Sequence, residues 1–359
     1  MPSDRRALLK KTIPFLIIGL VIFFLYLYFF VGIDKIVETL RSVDLFYYLL
    51  SFIIAVLGTV AYSLSWQSLL KLLSIKISFK KTFLFIWVGA FVDIIIPLES
   101  VSSEITRTYL VYTSTRENTG KIVASLVSHR ILNMGITVAG LIISSIFLIL
   151  QPKPIDPAVL TFVAIVVACA ILVISLLTYL SSREKTTQKL LDWIFRLLKF
   201  ISRGHWKLVR WKLGVQEMLR EYHEGINMLR KYPKGIIPTI ILSIAAWFSE
   251  LLISLFVFSA LHVEISIASL IVLYSINVAI PMVPLSFSGI GITDTIMSLL
   301  YTFFGIAPDV SASVTLLTRI VTVWFKLILG YFAVHVVGVD ILSRSLTESI
   351  MPKVSKEKR

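Results

Sequence analysis

Apolar residues in this chain fall in long unbroken runs, not in the alternating or 3.6-residue stripes of a water-soluble fold. Six runs approach or exceed the roughly 20 helical residues that span a hydrocarbon core: Ile13–Val31, Leu45–Leu73, Ile122–Leu150, Ala158–Leu180, Ile236–Leu261 and Val310–Leu342. Two other apolar regions are interrupted. The first, Phe83–Ile96, stops at Pro97, crosses a polar stretch and resumes over Glu104–Tyr112. The second, Ile267–Ile280, stops at Pro281 and Pro284, crosses a Gly/Ser stretch and resumes over Ile290–Phe304. Their limbs are short for a crossing and suit re-entrant hairpins, or pairs of short crossings. The pattern predicts an all-α integral membrane protein. It is a polytopic helical bundle of about six full spans plus two broken or re-entrant helix pairs.

Composition sharpens this picture. The 359 residues are 57% hydrophobic and 16% charged, with a mean hydropathy of +0.88; soluble domains run to roughly 45–50% apolar and 25% charged. The bilayer must therefore serve as part of the solvent. The net charge of +14 would point to nucleic acid in a soluble protein. Here the basic residues lie between the apolar runs, so anionic lipid headgroups are the expected partners and nucleic acid is not. Arg5, Arg6, Lys10 and Lys11 precede the first run. That run is long for a signal peptide and lacks a small-residue cleavage site, so it reads as an uncleaved span. The segment 181–235 carries thirteen basic residues against five acids. Its spacing predicts two amphipathic helices, the first lying in the membrane interface. The positive-inside rule places this segment and both termini in the cytoplasm of a multi-pass cell-membrane protein, provided each broken pair returns to its own side.

The two broken regions resemble each other. PLESVSSEITRTYL begins at Pro97 and PLSFSGIGITDTIMSL at Pro284. Each leads into a long span with an intramembrane arginine, Arg130 or Arg319, at Pro-to-Arg separations of 33 and 35 residues. Each is preceded by a span with a tryptophan, Trp66 or Trp247. The chain thus reads as one membrane domain, 1–359, with a first unit at 45–150 and a second at 236–342. The predicted topology opposes the two units, and inverted repeats with interrupted helices are a transporter signature.

Ionisable residues inside spans are costly and usually face a cavity or a partner. Asp93, Glu104, Arg107, Arg130, Glu250, Asp294, Arg319 and Lys326 are such residues. Arg130 and Arg319 suit a lipid phosphate, because guanidinium is a planar two-pronged donor that stays charged. They equally suit structural pairing with Glu104 and Asp294. Glu104 and Arg107 are three residues apart and share a helix face. Gly289 and Gly291 allow close backbone approach to an anion, or a plain turn between the limbs. Substrate contact is therefore expected from Arg130, Arg319, Glu104, Arg107, Asp294, Gly289 and Gly291.

Enzyme signatures are weak. There is no Walker loop, HExxH or nucleotide fingerprint, and the five histidines lack metal-ligand spacing. The single Cys169 excludes an intrachain disulfide. Ser288 and His335 only faintly resemble a rhomboid dyad, and the short 32–44 connection holds no DxD. Neither an enzyme nor a cofactor-dependent protein is expected.

SLSWQSLLKLL, IIIPLESVSSEITRTYL, ASLVSHRI, PLSFSGIGITDTIMSLLYTFFGI and TLLTRI together resemble the transmembrane domain family of lysylphosphatidylglycerol synthases, over most of Leu45–Leu342. The resemblance implies a lipid flippase-like fold and carries Glu104, Arg107, Arg130 and Arg319 over as functional residues. The soluble aminoacyl-transfer domain has no counterpart in this sequence, so aminoacyl transfer is not implied. The expected role is a flippase that binds an anionic or phosphate-bearing lipid in a midplane cavity between two inverted halves. The alternative is an accessory or scaffold protein partnered with a lipid-modifying enzyme or glycosyltransferase.

Overall fold

The computed structural model describes residue 28 and residues 33–96, 101–150, 157–201, 207–279 and 292–338. Every regular element among them is helical. The run Ile13–Val31 lies outside the described residues except for Tyr28. So do Pro97, Pro281, Pro284, Gly289 and Gly291.

Five helices are long and apolar enough to cross a membrane, and each falls on a run read from the sequence: Leu45–Leu72, Thr119–Phe147, Val163–Ser182, Pro233–Ala260 and Pro308–Val337. A short helix α1 (Ile33–Arg41) precedes them. The first unit comprises α2 (Leu45–Leu72), the limbs α3 (Phe79–Ile95) and α4 (Val101–Thr115), and α5 (Thr119–Ile149). Then come α6 (Pro157–Ser182), α7 (Glu184–Ile201) and α8 (Lys207–Lys231). The second unit holds α9 (Ile237–Ala260), α10 (Ile267–Ala279), α11 (Ile292–Phe303) and a final span. That span runs as α12 (Pro308–Arg319), a π-turn (Ile320–Trp324) and α13 (Phe325–Val337).

α2 starts where the Asp44 carboxylate accepts the Phe46 N–H at 2.8 Å. It stops at Ser74, whose φ of 65° no helix continues through. Much of its buried face is small or polar: Ala55, Gly58, Thr59, Ser63 and Ser65. Those residues meet a similar stripe on α9. A Cβ on Gly58 would stand 2.8 Å from Ser249 Cβ. The Ser65 and Ser243 hydroxyls are 2.7 Å apart, and Ser68 bonds Thr239. Rising numbers on α2 meet falling numbers on α9, so the two spans are antiparallel. Between apolar helices in lipid, association comes from such close approach and from hydrogen bonds across the contact, since apolar burial supplies no drive there.

Two buried clusters form, one mostly from each unit, with Ala333 and Val334 of α13 joining the first and Leu141 of α5 joining the second. The first gathers Trp66, Leu70, Trp87, Val88 and Leu110, and the second gathers Val257, Phe258, Leu273, Tyr301 and Val314. The α3 and α4 limbs fold back on each other. Gly89 lies against Ser103 and Arg107, and Asp93 meets Ser102, which fixes an antiparallel hairpin. α13 then presses on α3 at Gly330, where a Cβ would stand 2.7 Å from the Trp87 carbonyl oxygen and from Phe91 Cβ.

α6 leaves Ile165, Ile171, Leu172 and Leu176 exposed, which only a bilayer tolerates in that number. The second amphipathic helix departs from a simple surface element. In α8, Tyr222, Ile226 and Leu229 join the first unit's core. The Tyr222 hydroxyl donates to Ser181 Oγ at 2.6 Å, and the Gly120 N–H donates to Glu221 at 3.0 Å. α8 is thus bolted onto the start of α5 and the end of α6.

Candidate functional site

The hairpin break brings polar groups into the first unit. α4 is short and rich in hydroxyls, which it satisfies internally: Thr106 and Thr108 donate back to the carbonyls of Ser102 and Glu104. At its first turn the Ser102 hydroxyl sits 2.6 Å from Asp93 Oδ1 and 2.7 Å from the Ile96 carbonyl oxygen. The limb tip is thereby tied to α3. Ser103, Glu104 and Arg107, at helical spacing, then face α2, α3 and α5.

A cavity of about 240 Å³ opens there. Tyr62 of α2, Ile86, Ala90 and Asp93 of α3, Ser103, Glu104 and Arg107 of α4, and Leu126 and Arg130 of α5 line it. Arg130 stands eleven residues into α5, about 17 Å along the helix at 1.5 Å per residue. Its guanidinium donates to Glu104 Oε1 at 3.0 Å.

Arg107 is held differently. It is 6% exposed, and its Nε donates to the Ser103 carbonyl oxygen at 3.4 Å. The guanidinium carbon lies 5.3 Å from the centre of the Trp66 ring. No ion pair joins Arg107 to a carboxylate among the described residues. Behind it, the Trp66 Nε1 donates to Ser125 Oγ at 3.0 Å. His129 Nε2 lies 3.0 Å from Ser65 Oγ, and its ring centre lies 4.5 Å from that of the cavity residue Tyr62.

The second unit repeats part of this arrangement. Asp294, in the first turn of α11, pairs with Arg319 at the end of α12. The acid-to-arginine separation is 25 residues there and 26 between Glu104 and Arg130. Arg319 also stands eleven residues into its span. Three residues after Glu104 comes Arg107, whereas three after Asp294 comes Met297, which is buried. The paired ions therefore recur and the third cation does not. Another pair, Lys326 with Glu250 at 3.0 Å, joins α13 to α9.

Sequence reasoning expected Arg130 and Arg319 to share one cavity between the halves. The structure brings Glu104, Arg107 and Arg130 together, but the cavity lies within the first unit. Asp294 and Arg319 pair with each other and do not line it. Arg130 and Arg319 each pair with an acid of their own unit, which offsets the cost of holding the charge away from water. Sequence reasoning misses Tyr62 and Ser103 in the lining and Trp66 behind Arg107.

Comparison with known proteins gives the chain a family. The family described as "Lysylphosphatidylglycerol synthase TM region" matches residues 16–330. A UPF0104 membrane protein of Methanocaldococcus jannaschii is 26% identical over 337 residues, covering 92% of this chain and 96% of its own. One of Pyrococcus horikoshii is 23% identical, over 89% and 95%. One of Methanothermobacter thermautotrophicus is 23% identical, over 90% and 94%. These membrane-protein relatives are matched along nearly their whole length, and the family match takes in the first unit, the cavity and most of the second unit. The chain belongs to the family of the lysylphosphatidylglycerol synthase transmembrane region.

Proposed function

We propose that this protein binds the phosphate-bearing headgroup of a membrane lipid in the first-unit cavity and carries it across the bilayer as a flippase-like transporter. The observation that carries this reading is Arg107. A buried guanidinium normally requires an anion. Glu104 is engaged by Arg130, and Arg107 faces the cavity with no carboxylate of its own among the described residues. A phosphate offers oxygens spaced for two parallel N–H bonds from one guanidinium.

Cavity size fits this role. At about 240 Å³ it is smaller than the roughly 300–1,000 Å³ that encloses a whole drug-sized ligand. A headgroup fits inside while the acyl chains remain in the hydrocarbon. The antiparallel α2–α9 contact supports the opposed arrangement of units that alternating access uses.

The test is translocation in proteoliposomes. Purified protein is reconstituted with phosphatidylglycerol labelled on its headgroup, and label reaching the far leaflet is measured by impermeant quencher. The wild type moves label faster than protein-free vesicles, and Arg107→Ala moves it no faster than they do. Equal rates for wild type and Arg107→Ala, or no rate above empty vesicles for either, contradict the reading.

A further inference from the structure

Three arginines sit within the spans and hairpin limbs of the two units, and they are stabilised in two ways. Arg130 and Arg319 each face a carboxylate. Arg107 faces the ring of Trp66. A carboxylate cancels the positive charge and occupies the donor edge. An aromatic face does neither: it attracts the cation through its quadrupole and leaves the N–H edge open. Resting on the headgroup reading, we infer that Trp66 is the positioning residue of the anion site: it holds Arg107 in the membrane while leaving its charge available to the lipid phosphate.

The surroundings of the two side chains fit this role. Trp66 is fully buried, and its indole N–H is fixed by Ser125 at 3.0 Å, so the ring cannot turn away. Gly89 on α3 makes room for the arginine stem. A Cβ there would lie 3.3 Å from Arg107 Cγ, 3.4 Å from Cδ and 2.6 Å from Ser103 Oγ. The Ser103 carbonyl takes the Nε–H. The stem, the ring face and one donor are thereby engaged. Among the described residues, no hydrogen bond engages the N–H groups of the two terminal nitrogens, and these are the set a phosphate takes in a two-pronged contact. The second unit has Met297 where Arg107 would stand, three residues beyond its acid. The second unit keeps a tryptophan, Trp247, in the matching span but has no cation at this position.

The experiment measures affinity for dihexanoylphosphatidylglycerol in detergent. Wild type is compared with Trp66→Phe, Trp66→Leu, and wild type grown with mono-, di- and trifluorinated tryptophan. Fluorination keeps the ring's shape and drains its quadrupole, so a merely space-filling Trp66 gives no graded response. Because all seven tryptophans are labelled together, Trp66→Phe grown on the same analogues is the control. The inference expects a stepwise fall in affinity with fluorination, reaching about tenfold, and a flat response in the control. It expects Trp66→Phe to retain more affinity than Trp66→Leu. A flat response in wild type, or an equal slope in the control, overturns the inference while the headgroup reading stands. Failure of unlabelled wild type to bind overturns both. The fluorinated proteins keep the test decisive if Trp66→Leu does not fold.

Discussion

Glu104 and Arg130 meet at 3.0 Å across 26 residues of chain, and one unit later Asp294 and Arg319 meet in the same relation. In each case the acid opens the second limb of a broken helix and the arginine sits deep in the following span. The pair thus ties the hairpin to its neighbouring span. Its recurrence marks a shared structural brace, in contrast to Arg107.

The brace predicts compensation. Replacing Arg130 by Glu leaves two facing carboxylates, and replacing Glu104 by Arg leaves two facing guanidiniums. Each single variant is expected to lose about 1–3 kcal/mol of stability, less than the roughly 3–5 kcal/mol of a fully buried pair because both side chains are partly exposed. The exchanged pair, Glu104→Arg with Arg130→Glu, recovers most of it. Thermal unfolding in detergent checks this, and a double variant as unstable as the sum of the singles excludes a pairwise brace. Asp294→Asn is expected to cost more than Glu104→Gln, because the Asp294 side chain is 6% exposed against 22% for Glu104.

A second prediction concerns the wall of the cavity. Gly330 lets α13 lie against the α3 backbone, and α3 supplies Ile86, Ala90 and Asp93 to the lining. Gly330→Val forces Trp87 and Phe91 to move, for about 1–3 kcal/mol of overpacking. Headgroup affinity is expected to fall with stability, although position 330 is not in the lining. Gly135→Val, at a site with no atom within 4 Å of a Cβ, is the control and leaves affinity unchanged. Affinity unmoved by Gly330→Val separates α13 from the cavity.

A third prediction has a pH signature. Burial pushes the Tyr222 hydroxyl above its ordinary value, with the Ser181 hydrogen bond and the Arg230 charge acting the other way. A phenol whose value is raised on folding contributes fully below the unfolded value near 10, and its contribution is lost as pH rises through the folded value. Tyr222→Phe removes the bond to Ser181 and is expected to cost about 0.5–1.5 kcal/mol at neutral pH. The gap to wild type narrows above about pH 10. Unfolding midpoints at neutral and alkaline pH measure it, and a gap that widens with pH contradicts the assignment.

Much of the architecture is legible in the sequence. The long runs predicted spans because hydrocarbon solvation needs about 20 apolar residues, wherever they pack. Pro97 and the polar stretch after it marked the first break for the same local reason. Packing was less readable. The amphipathic spacing of α8 is legible, but not that Tyr222, Ile226 and Leu229 join the first core instead of facing the membrane interface, because that depends on which neighbours fold against them. The π-turn at Ile320–Trp324 left no mark among ordinary apolar residues. At the site, Glu104, Arg107 and Arg130 were found because charge in lipid is conspicuous. Their different roles were not, since neutralisation depends on which side chain lies across the gap. A tryptophan in an apolar span reads as packing until an arginine is seen over its ring.

The most direct measurement is a ³¹P NMR titration of dihexanoylphosphatidylglycerol with wild type, Arg107→Ala and Arg319→Ala, each first shown to be folded. Arg107→Ala is expected to lose tenfold or more in affinity, the size of a charge-assisted contact of about 1.5–3 kcal/mol, whereas Arg319→Ala stays within about threefold of wild type. Unchanged binding by Arg107→Ala, or an equal loss in Arg319→Ala, would contradict the account.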